Sequence, residues 1–202
     1  WREIQEGLGE RFEIATNTYK PFACGVVIHP SIDGCIQLRD ELRVSSDAIE
    51  RVDLVVHPLV LELTGKRAPR SGLEGKFSVY HACAAALLFG MAGEPQFSDA
   101  CVADPTVIAL RDRVQARADT AIDEAAADIT LTLRDGRSVH KRVEHAIGSL
   151  QRPMSDAALR TKFHRLVDPI LGAEAADVLI ASCVELPQAA SVRGLVAAAR
   201  PG

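Results

Sequence analysis

The chain has 202 residues, of which 48% are hydrophobic, 25% charged and 4% aromatic, and its formal net charge is −4. A chain of this length buries a real core, and its slightly acidic balance argues against a nucleic-acid binder. No apolar run approaches the roughly 18 residues that cross a bilayer, and the high aliphatic content argues against disorder.

In chain order, WREIQEGLGERF (1–12) reads as the middle of a helix leading into a strand, and it opens at Trp1 without an initiator Met. Two readings stay open: a few residues precede Trp1, or the chain is the C-terminal part of a longer protein. Residues 12–22 (FEIATNTYKPF) are β-prone and expected to be extended, since Pro21 biases Lys20 away from helix. His29-Pro30-Ser31 places Pro at the first helical position, and apolar residues at 32, 35, 36, 38 and 42 predict an amphipathic helix. Residues 49–57 (IERVDLVVH) alternate as a half-buried strand does.

The stretch 66–76 (KRAPRSGLEGK), rich in Gly, Pro and positive charge, predicts a mobile loop beside a binding site. Residues 77–89 are apolar nearly all round and end at Gly90, which predicts a buried helix. Asp104-Pro105 caps a further helix expected to reach Val114. Residues 129–133 alternate cleanly, Asp135-Gly136 supplies a tight turn, and residues 138–145 return, so a hairpin is expected. Beyond Pro153 the pattern is helical only. Ser155 caps one helix, Gly172 ends the intervening turn, and two alanine-rich helices follow. The expected fold class is therefore α+β, with antiparallel strands and helices over 1–148 and C-terminal helices over 149–202.

Five scattered cysteines with no CxxC pair form neither a disulfide framework nor a zinc site, and a reducing cytoplasm is the expected compartment. The histidines are not at metal-ligand spacings, so no metal is expected, and no phosphate loop, dinucleotide fingerprint or nucleophile elbow is present. Three less regular segments carry candidate chemistry. Lys20 leads through a broken turn to His29 at a helix N-terminus, where anions are favoured. Ser78, Tyr80 and His81 open the apolar helix just after the basic loop, and a tyrosine or histidine there can move a proton. His145 to Pro153 carries His, Ser and Arg, and reads first as a linker between domains.

Together KPFACGVVIHPSIDG (20–34), GKFSVYHACAAALLFG (75–90), ITLTLRDGR (129–137) and GSLQRPMSDAALRTKF (148–163) resemble, in order and spacing, the C-terminal portion of the MmgE/PrpD family. That family includes 2-methylcitrate dehydratase, cis-aconitate decarboxylase and iminodisuccinate epimerase. The resemblance implies a small α+β lid domain over 1–148 and, over 149–202, helices that return to a mostly missing all-α domain. It further implies a cleft between the two and an absent N-terminal helical domain carrying catalytic Asp and His positions. By position, the active-site lysine and tyrosine of the decarboxylase fall on Lys20 and Tyr80. A histidine five residues after that lysine is Gly25 here, which counts against decarboxylation. His29 aligns with a second common histidine.

The resulting expectation is a cofactor-independent lyase acting on a small hydroxy di- or tricarboxylate by proton abstraction beside a carboxylate. Lys20, Tyr80 and His29 are the expected catalytic residues, and Lys20, Ser78 and His81 the expected substrate-binding ones. The expected partners are a small polycarboxylate, the N-terminal helical domain and a second copy in a homodimer, with neither nucleic acid nor membrane. Two alternatives stay open: an epimerase or isomerase using the same half-reaction, and a non-catalytic structural or dimerising module.

Overall fold

In strand β1 (Ile49–Val56) the residues Ile49, Val52, Leu54 and Val56 are buried, with a register irregularity between Ile49 and Arg51 that accounts for the uneven spacing. The computed structural model describes residues 5–200. β1 pairs antiparallel with β3 (Ala127–Leu133), and β3 pairs antiparallel with β4 (Ser138–Val143). On its other edge β1 pairs in parallel with β2 (Val114–Ala118), giving the order β2-β1-β3-β4. The expectation of antiparallel strands is thus corrected at one of the three pairings. The connection from β1 to β2 carries several helices, and a crossover of that length lets the incoming strand run parallel.

Helix α1 (His29–Leu42) lies on the buried side of β3 and β4, with Ile32, Cys35 and Leu38 fully enclosed. Its close approach to the sheet depends on Gly34, where a Cβ would stand 2.4 Å from Ile129 Cδ1. A short helix α2 (Pro58–Thr64), absent from the sequence reading, follows β1 and is capped by His57, whose Nδ1 accepts from the Leu59 amide. The basic loop is pinned rather than mobile. It ends in the helical turn α3 (Gly72–Gly75), where Asp99 accepts from the Gly72 amide at 2.6 Å and Glu74 pairs with Lys66.

Helix α4 (Val79–Phe89) is buried from Val79 to Leu87, starts on the Ser78 cap and ends at Gly90 in the left-handed conformation. After α5 (Asp99–Ala103), the Asp104 cap opens α6 (Pro105–Arg111). α6 stops short of the expected Val114, because Arg113 already bonds to β1: its carbonyl accepts from Val52 and its guanidinium donates to Ile49. The β3–β4 hairpin turns at Asp135-Gly136 as expected, with Gly136 at φ +88°.

Residues 12–22 form no strand. They contain a 3-10 turn at Glu13–Thr16 and then irregular backbone. The helix expected over 1–12 lies partly outside the described residues, and residues 6–10 form turns. The segment His145–Pro153, expected as a linker, ends at the boundary of the first compact unit and is held against α1: Asp33 accepts from the Ile147 amide at 3.0 Å and from Arg152 Nη1 at 2.6 Å.

The chain divides into two compact units, residues 1–153 and 154–202. The second contains α7 (Asp156–Leu171), capped by Ser155, then α8 (Ala173–Val184) after Gly172 at φ +82°, and α9 (Arg193–Ala198). Only Ala176 and Leu179 of these helices are buried. Among the described residues no helix is long and apolar enough to cross a membrane.

Candidate functional site

The segment before α1 is built around Cys24. Phe22 and Cys24 turn inward, the Ala23 amide donates to Ala92, and the Gly25 amide donates to the Lys76 carbonyl. A 3-10 turn at Val26–Ile28 then aims the chain into α1. Lys20 stays exposed and its Nζ donates to the Cys24 carbonyl at 3.3 Å. His29 is only 4% exposed, its ring set edge-on to Phe22 at 5.2 Å, and its Nε2 is enclosed without a partner.

Burial, and then the nearby Lys20 charge, push the His29 pKa down to about 4, against the opposing pull of the Cys24 carbonyl and Asp33. At neutral pH the ring is therefore uncharged. Burial likewise pushes the Cys24 thiol up to about 12, although Lys20 and Lys76 both favour the thiolate. Cys24 is thus held as a thiol near the charges of Lys20 and Lys76.

The second segment is joined to the first through backbone. Besides the Gly25–Lys76 bond, Lys66 donates its amide to Phe77, and Gly65 bridges to Ser78. Tyr80 is 4% exposed, and the exposed Arg67 lays its guanidinium carbon 4.6 Å from the Tyr80 ring centroid. Lys76 is paired with Glu94 at 2.8 Å, whereas no ion pair engages Arg67 among the described residues.

Ser78 and His81, expected to contact substrate, lie at the buried start of α4. Both are fully buried; Ser78 Oγ accepts from the His81 amide as the cap of α4, and His81 Nε2 donates to the Gln96 carbonyl at 2.7 Å. Burial lowers the His81 pKa, so this ring is neutral too. Their physical role is to seat the start of α4, and with it Tyr80, against residues 96–97. Lys20 and His29 are therefore brought together at Cys24, and Tyr80 is brought to Arg67. The two pairs are linked by main-chain bonds rather than by contact between Lys20 and Tyr80 side chains.

Arg67 is not singled out by residue type or spacing. Charge marks its loop, but the spacing does not show which cation lies on Tyr80. An open depression of about 390 Å³ lies elsewhere, lined by Arg39, Asp40, Arg43 and Val44 at the C-terminal end of α1. That end of a helix carries partial negative charge and does not favour an anion.

No curated protein matches the chain at a significant level. The family model described as the MmgE/PrpD C-terminal domain matches residues 22–186, which covers α1, α4, the whole sheet and the helices up to Leu186. This chain belongs to the MmgE/PrpD family and carries its C-terminal domain.

Proposed function

We propose that this chain supplies part of the active site of a dehydratase-like lyase acting on a small hydroxy di- or tricarboxylate. The observation that carries this reading is the exposed Lys20 ammonium resting on the Cys24 carbonyl beside an uncharged, enclosed His29. Dehydration beside a carboxylate removes a proton from the carbon next to it. Negative charge grows on that carboxylate, the new double bond forms, and the β-hydroxyl leaves with a proton as water. A fixed cation where that charge grows lowers the barrier.

Lys20 is that cation. Tyr80, with its ring under Arg67, is the proton donor or orienting hydroxyl, and Arg67 offers a second positive group to a substrate carboxylate. His29 is too weak a base at neutral pH to take a carbon-bound proton. It acts from behind, holding the Cys24 segment on which Lys20 rests. The base belongs to the helical domain that the resemblance implies, and the site works when that domain is present.

In the protein that includes the helical domain, Lys20→Ala lowers turnover about 10²–10³-fold. The assay follows citrate-like and malate-like acids by NMR in D2O. Formation of an alkene supports dehydration, and deuterium entering the α-carbon without alkene replaces that reading with epimerisation. Near-normal turnover by Lys20→Ala would end the assignment.

A further inference from the structure

The loop His145–Pro153 contributes no side chain to the candidate site, yet its backbone packs on the residues on both sides of Lys20. Gly148 sits at φ +87°, and a Cβ there would stand 2.4 Å from the Tyr19 carbonyl oxygen and 2.7 Å from Pro21 Cδ. The loop is closed on itself by the Gly148 amide donating to the Arg152 carbonyl at 2.7 Å and by Arg152 Nη1 donating to the His145 carbonyl at 2.8 Å. The same Arg152 guanidinium reaches Asp33, whose side chain is only 8% exposed near the start of α1. Asp33 also accepts from the Ile147 amide through the same oxygen, and its other oxygen accepts from Gln37 at 3.0 Å.

These contacts form one continuous path: α1, Asp33, Arg152, the loop, Gly148, and the Tyr19–Pro21 backbone that carries Lys20. Residues 12–20 are exposed throughout, and among the described residues Lys20 itself has one anchoring bond, to Cys24. A charged group on such a segment needs a second constraint if it is to be held where charge develops. The loop supplies it by close packing, which only glycine permits at 148.

We infer that Gly148 and Arg152 are positioning residues for Lys20, and that the loop is a brace tying the lysine segment to the start of α1. The functional importance of this brace rests on the reading of Lys20 as the site cation, but its effect on Lys20 is measurable without turnover. The chain has five lysines, so a ¹³C-dimethylated sample gives a spectrum simple enough to assign by Lys20→Arg.

In Gly148→Ala and in Arg152→Ala the Lys20 signal shifts beyond its line width or broadens, while the Lys66, Lys141 and Lys162 signals stay in place. Arg152→Lys, which keeps a cation for Asp33, returns the Lys20 signal most of the way. In the protein with its helical domain, both disruptive variants lower kcat about tenfold, with a smaller change in KM. Arg152 is half exposed, so Arg152→Ala keeps the question open to measurement should Gly148→Ala fail to fold. An unmoved Lys20 signal in folded Arg152→Ala overturns the brace, whatever the chemistry. A moved signal combined with full activity of Lys20→Ala overturns only the proposed function.

Discussion

The segments that lead into α1 and α4 each place a histidine in the first helical turn, enclosed by apolar neighbours and uncharged at neutral pH. Around His81 everything faces inward: its Nε2 donates to Gln96, its ring lies against Phe97, and Ser78 closes the helix end. Around His29 the same enclosure ends at the surface, because the Cys24 carbonyl in front of it receives an exposed lysine. An enclosed histidine is ordinary core material by itself. What turns one of these two into part of a candidate site is the charged neighbour, and that neighbour comes from nine residues earlier in the chain.

The largest effect that tests this contrast is on stability at His81. His81→Ala leaves a cavity and strands the Gln96 carbonyl, so the variant loses about 3–4 kcal/mol in urea unfolding. A loss below about 1 kcal/mol would mean that His81 is not a structural post.

The next effect is the acid response of His29. Its pKa is about 4 in the folded chain and ordinary when unfolded, so between those values the unfolded chain holds a proton that the folded chain refuses. Stability therefore falls as pH drops from about 6.5 toward 4, by about 3 kcal/mol from this group. Urea midpoints at pH 7 and pH 4.5 measure it, and His29→Gln flattens that part of the slope. An unchanged slope would mean that His29 is not enclosed and neutral in the folded chain.

The smallest effect belongs to the cap. Ser78→Ala removes the acceptor for the His81 amide and costs about 1 kcal/mol, read from the same unfolding curves. It should displace the Arg67–Tyr80 stack as well, since the cap sets the start of the helix that bears Tyr80. The Tyr80 ring signals in an NMR spectrum report that displacement, and unmoved signals would separate the cap from the site.

Much of the fold was legible because its causes are local. Pro30, the apolar spacing of 32, 35 and 38, the Gly90 cap, the Asp135-Gly136 turn and the Ser155 cap each act within a few residues, and the helices and hairpin they predict are present. The extended segment expected at 12–22 failed for the opposite reason. Its β-prone residues find no strand to pair with, and propensity without a partner does not make a strand. The candidate site was legible as residue types at segment ends, but not as an arrangement. The distinction between Tyr80 and its buried neighbours Ser78 and His81 depends on which polar groups are already engaged across space.

By itself, then, the sequence determined the α+β character, the positions of α1, α4 and the hairpin, and the family to which the chain belongs. It also marked Lys20, His29 and Tyr80 as residues of interest. Tertiary structure alone decided that β2 runs parallel to β1, that Arg67 lies on Tyr80, and that Asp33 holds Arg152 across more than a hundred residues of chain. Helix caps and tight turns are written in neighbouring residues. Strand direction, cation stacking and a long-range ion pair exist only once distant segments have been folded onto one another.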